Sequence, residues 1–235
     1  QTAPWMAHKV VTEETEEMKL IRDNVILLLI PNINPDGTTL VVDWYRKVKG
    51  TPYEESSPPE LYQKYVGHDN NRDFYMFNQP ESQNVARQLY AEWFPQIIYN
   101  QHQEAPFPAR IFVPPFADPM NPNIPPLVMS GINLVGDAMT RRFAQEEKAG
   151  VVSRLQFDTW WNGGMRTTPY YHNMVGILTE TGHASPRTID YDPDNFPENF
   201  SNGESTSEPS TYYPNPFRGG RWSFRDSCSY IVTGS

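Results

Sequence analysis

Short, continuous apolar runs bounded by turn residues constrain this chain more than any other feature. Val25, Ile26, Leu27, Leu28, Leu29 and Ile30 follow one another between Asp23-Asn24 and Pro31. Such a run predicts a strand buried on both faces. Residues 96–100 and 174–179 read as second and third strands. Between them lie helical patterns. Val85, Leu89 and Trp93 repeat every four residues, between Pro80 and Pro95. Ile132, Val135, Met139 and Phe143 mark another helix, with Gly150 as its expected stop. A further helix is expected near residues 5–11. The acidic run at residues 13–17 reads as a solvated helix start favoured by the helix dipole. Strand, helix, strand, helix, strand predicts an α/β sheet with helices on its faces.

Composition narrows the partners. The 235 residues carry 19 Lys+Arg against 28 Asp+Glu, a net charge of −9, which argues against nucleic acid as the main partner. Residues 25–30 are far too few to span a membrane. Cys228 is the sole cysteine, and its place in an expected C-terminal helix suits packing better than nucleophilic chemistry. There are 23 prolines, of which eight fall within residues 106–126 and six within 186–216. Long ordered loops of this kind are usually functional or firmly anchored. Phe107, Phe112 and Phe116 in the first stretch are expected to pack it onto the sheet.

In open α/β sheets, ligands gather beyond the carboxyl ends of strands. The residues there are Asn34-Pro35-Asp36-Gly37, then His102 to Glu104, then Glu180 to His183. Asp69-Asn70-Asn71-Arg72 and the pair Gly163-Gly164 complete a set of blocks. In their order along the chain, these blocks resemble the zinc carboxypeptidases, over about residues 25–182. The resemblance implies a mixed, mostly parallel sheet flanked by helices on both faces, an α/β/α sandwich. It also implies that residues 1–235 are one catalytic domain, incomplete at both ends.

The implied activity is release of C-terminal residues from peptides or proteins by zinc-activated water. His102 matches a zinc ligand, with a backbone-satisfied strand-end histidine as the plain alternative. Glu180 matches the general base and acid. Its rivals are a solvated carboxylate and a chelating pair with His183, which the β-like run makes a poor fit. Asn71 and Arg72 match the clamp on the substrate's terminal carboxylate, a task suited to an arginine fork. Asp69 matches a residue that orients a zinc-bound histidine. Arg46 resembles the arginine that stabilises the oxyanion, against a solvated cation beside Lys47 and Lys49. Arg166, two residues after Gly164, would favour an acidic terminal residue if it forms the base of the pocket.

Three departures accompany the match. The family's other two zinc ligands form a His-x-x-Glu motif, which none of the five histidines here begins; His8, for instance, is followed by Val11. The Zn2+ site is therefore expected to draw on residues outside this chain, with weak metal binding and little peptidase activity by the chain alone. Thr159 stands where many relatives carry a tyrosine, and Asn100 where an aspartate is common. Two alternatives stay open: a zinc deacylase or amidase of the same superfamily, and a metal-free peptide-binding module. Relatives are often exported, which tilts the expected location outward.

Overall fold

The computed structural model describes residues 2–182 and 185–235. The chain divides into two compact units, Ala3–Trp93 and Phe94–Ser235.

All regular structure described in the first unit is helical. It comprises α1 (Thr2–Thr12), α2 (Glu16–Asn24), α3 (Pro35–Val48), a 3-10 turn Asn70–Arg72 and α4 (Pro80–Arg87), which runs on as a π-helical turn Gln88–Trp93. Thr15 caps α2 by accepting from the Met18 N–H at 3.2 Å, and Glu16 and Glu17 occupy the first turn, as the acidic run predicts. Asn34 caps α3: its Oδ1 accepts from the Gly37 N–H at 2.9 Å, with Pro35 at the first helical position. The Asn34 to Gly37 block is thus a helix start. Residues 25–30 correct the strand expectation. They are irregular and exposed, Ile26 to 76%. A strand buried on both faces needs ladder partners on both edges, and no strand is described in this unit to supply one.

The second unit carries the sheet. Its strands are β1 (Ile97–His102), β2 (Ile111–Phe112), β3 (Val151–Val152) and β4 (Val175–Thr181), in the order β1-β4-β2-β3. β1 with β4 and β2 with β3 are parallel, and β2 with β4 is antiparallel, so the sheet is mixed and mostly parallel. A two-stranded sheet of β5 (Ile189–Tyr191) and β6 (Gly220–Trp222) stands apart from it. The expected strands at 96–100 and 174–179 are both present, each running two residues further.

Helix α5 (Pro126–Gln145) buries Val128, Ile132, Gly136, Met139 and Phe143. Gly136 is required by contact: a Cβ there would lie 2.0 Å from the Pro114 carbonyl oxygen. The helix stops earlier than the sequence predicts. Glu147 takes the left-handed turn at φ 55°, three residues before Gly150. Helix α6 (Phe224–Thr233) opens with a capping box between Ser223 and Asp226, and it buries Cys228, whose thiol burial pushes up. The reading of Cys228 as a packing residue holds. Phe112 and Phe116 are fully buried while Phe107 stays half-exposed, so the proline-rich stretch is indeed packed onto the sheet at two of its three phenylalanines.

Arg110 is the largest fully buried side chain. Its guanidinium lies 4.6 to 5.9 Å from the ring centres of Tyr191, Phe217, Trp222 and Phe107. Its Nε donates to the Pro108 carbonyl at 3.0 Å, and no ion pair is described for it. Stacking on π faces and one carbonyl therefore replace the usual counter-ion.

Two stability outcomes are expected. Arg110→Ala should cost about 3 kcal/mol in urea unfolding, since it leaves a cavity among four rings; Arg110→Met, which keeps the stem, should lose less. Equal stability of wild type and Arg110→Ala would reject this role. The second concerns pH. Glu146 is held down to about 2 by Thr233, Arg142 and Lys148, against a burial effect that alone would raise it. Its folded value lies below the ordinary 4.5, so its contribution is complete above that pH and disappears as pH falls toward about 2. The melting-temperature gap between wild type and Glu146→Gln should close over that window.

Candidate active site

Parallel pairing puts His102 and Glu180 at the same level. β1 and β4 align Ile97 with Val175 and end with His102 opposite Glu180. Paired residues on adjacent strands point to one face, so the imidazole and the carboxylate share a face about one strand spacing, ~4.8 Å, apart. Glu180 lies inside β4, and it is only 6% exposed. Its Oε2 accepts from the Glu104 backbone N–H at 2.7 Å, which fixes the carboxylate. Thr181 Oγ1 donates to the His102 carbonyl at 3.1 Å, and Ala105 N donates to the Thr181 carbonyl at 3.2 Å. Together these bonds lock the loop after β1 to the end of β4. His102 Nε2 is hydrogen-bonded to Asn100 Oδ1, two residues back on the same face.

The same sheet face leads to Arg166. β2 places Phe112 opposite Glu180; the Phe112 ring lies 5.9 Å from Phe116, and the Arg166 guanidinium lies 4.3 Å over Phe116. Arg166 Nη1 donates to Tyr170 OH at 3.0 Å and Nη2 to the Asp158 carbonyl at 2.8 Å. The Tyr170 phenol is raised by burial, against the lowering influence of Arg166. Gly176 lets this layer approach: a Cβ there would fall 1.8 Å from the Arg166 carbonyl oxygen. Thr159 is buried and its Oγ1 accepts from the Asn121 N–H at 3.0 Å, so this position anchors a loop, with Trp160 and Trp161 half-exposed beside it.

The other candidate residues belong to the first unit. Asp69 caps the 3-10 turn by accepting from the Asn71 N–H at 2.8 Å. Asn71 is half-buried and Arg72 exposed, with Arg72 Nη1 donating to the Asn71 carbonyl at 3.1 Å. Arg46 lies on the exposed side of α3 in an ion pair with Asp43 at 3.4 Å. The pairing of Glu180 with His183 concerns a residue outside those described.

One group escaped the reading of the sequence. Gln79, only 6% exposed, hydrogen-bonds to three residues of the 68–73 loop. No sequence pattern announces it, because its partners lie six to eleven residues back and meet it only through the loop's path.

Among the described residues, no three His, Cys, Asp or Glu side chains gather as a metal-binding group. With no His-x-x-Glu in the chain and His102 Nε2 engaged by Asn100, the donors present do not by themselves fit a zinc ion. No helix among the described residues is long and apolar enough to cross a membrane.

The family model described as zinc carboxypeptidase matches residues 1–102. Over those residues, fewer than half of the 235, the chain is similar to that family. Comparison with curated proteins and with solved structures gave no match. The matched stretch contains Arg46, Asp69, Asn71, Arg72 and His102, while Arg166 and Glu180 follow it.

The bond from Glu104 to Glu180 gives a direct test of the carboxylate's setting. Glu180→Gln retains an acceptor for that N–H and should cost less than ~1 kcal/mol, whereas Glu180→Ala strands the donor and should cost about 1–3 kcal/mol. Urea unfolding of the two variants measures the difference; equal losses would show that the bond contributes nothing.

Proposed function

We propose that this chain acts on peptide or protein C-termini as part of a carboxypeptidase-like hydrolase, with Glu180 as its general base. The observation that carries the reading is the pairing of a buried, backbone-fixed Glu180 with His102 at the end of two parallel strands. Glu180 takes the proton of the attacking water and delivers it to the leaving amine. Asn71 and Arg72 hold the terminal carboxylate, and Arg46 steadies the oxyanion. Arg166, stacked on Phe116 without a carboxylate partner in any described ion pair, selects an acidic terminal side chain. His102 is the one imidazole proposed to face the zinc that the family implies; the chain's own donors do not complete that centre, and Asp69 would orient a zinc-bound histidine supplied from outside it.

A second reading, a metal-free module that binds peptide C-termini, is favoured by the absence of His-x-x-Glu from these residues. A zinc deacylase or amidase has no observation of its own to support it.

Binding of a fluorescent tripeptide, compared with the same peptide as its C-terminal amide, tests what the two readings share. The acid should bind about tenfold tighter or more, the worth of hydrogen bonds to a charged group, and Arg72→Ala should erase the difference. Equal binding of acid and amide rejects both. A peptide ending in Glu should bind tighter than one ending in Phe, and Arg166→Met should level them. Added zinc then separates the readings: slow hydrolysis abolished by Glu180→Gln supports the hydrolase, and selective binding without hydrolysis supports the module. Tight, stoichiometric zinc would show that the ligands are misassigned.

A further inference from the structure

The residues proposed to grip a carboxylate stand on a loop, and a loop grips with precision only when something fixes its backbone. Gln79 does this from both sides of the turn. It precedes Pro80, the first residue of α4, at the N-cap position, yet its side chain makes no capping bond to that helix. The amide turns back instead. Its Oε1 accepts from Asn70 Nδ2 at 3.1 Å, and its Nε2 donates to the His68 carbonyl at 3.0 Å. Its own backbone N–H donates to Asp73 Oδ2 at 2.9 Å. Asn71 and Arg72 are the two residues enclosed between these anchor points. Asn70 and Asp73 are buried like Gln79, so the bonds form away from competing water.

We propose that Gln79 is a positioning residue that holds the 68–73 loop in the shape required for Asn71 and Arg72 to receive a carboxylate. This rests on the carboxylate-clamp reading given above. Burial would by itself raise the Asp73 carboxyl, but the Gln79 N–H, the neighbouring Ser82 and Asn78, and His68 outweigh it and hold it below the usual range. An ionised Asp73 is therefore the stable acceptor for the Gln79 N–H. A non-polar side chain at position 79 keeps this backbone bond and removes the two made by the amide.

The test uses the full chain and the acid and amide forms of one fluorescent tripeptide. Gln79→Met should lower the preference for the acid about fivefold or more and leave amide binding within about twofold, because only oriented contacts are lost. Gln79→Glu keeps the acceptor for Asn70 and loses the donor to His68, so it should fall between Met and wild type. Asn70→Ala cuts the same tether from the loop side and decides the matter if Gln79→Met does not fold, as judged by circular dichroism. Undiminished preference in folded Gln79→Met, or in Asn70→Ala, overturns the inference. Wild type without any preference for the acid overturns the clamp reading itself, a result distinct from failure of Gln79 alone.

Discussion

The site in the second unit depends on the pairing of β4 with a neighbour on each side. β1 pairs parallel with it from Val175 to Glu180 and β2 antiparallel at Glu180 and Thr181, so the strand is laddered on both sides where Glu180 stands. That arrangement lets a strand ending in Glu180 and Thr181 sit almost wholly buried. An isolated strand end would leave the carboxylate in water, where it has little value as a base. Here a β1 residue flanks it, a β2 residue flanks it on the other side, and the Glu104 N–H donates to its Oε2.

The strand end is held from beyond as well. The Gly182 N–H donates to the Arg110 carbonyl at 2.7 Å, and Ser227 Oγ donates to the Gly182 carbonyl at 2.9 Å. Trp222 Nε1 donates to the same Ser227 hydroxyl at 2.9 Å, and Trp222 is one of the four rings around Arg110. The buried guanidinium, the indole and the first turn of α6 thus form one connected support behind Glu180. Substitutions in this support act on the site through geometry, without touching a substrate.

How much of this was legible from the residues follows from which constraints are local. The strands at 97–102 and 175–181 and the helix at 126–145 were legible because apolar spacing reports burial directly. The same spacing misled at residues 25–30, where an apolar run without ladder partners stays irregular and exposed. The end of α5 slipped because Glu147, a residue with no special taste for positive φ, took the turn that Gly150 was expected to take. In the candidate site, His102 and Glu180 were legible one at a time, but their pairing is a property of the β1–β4 register. Gln79 and Arg110 were not legible at all. A glutamine that bonds back across a loop, and an arginine satisfied by four rings, are defined by tertiary neighbours and leave no local pattern.

The two sets of proposed functional groups are held by different physics, and this bears on what each can do. Glu180 is embedded in a sheet, where moving it breaks ladder bonds on two sides. Asn71 and Arg72 ride on a loop fastened by a few side-chain hydrogen bonds, principally those of Gln79. A general base gains from rigidity, because proton transfer is sensitive to distance. A carboxylate clamp needs its backbone fixed and its guanidinium at the surface where a peptide end arrives, which suits a tethered turn that bears an exposed arginine. The family match ends at His102 and so covers the clamp while stopping short of the base. The proposed carboxylate recognition therefore draws on residues inside the matched span, and the proposed general base on the setting of Glu180 beyond it.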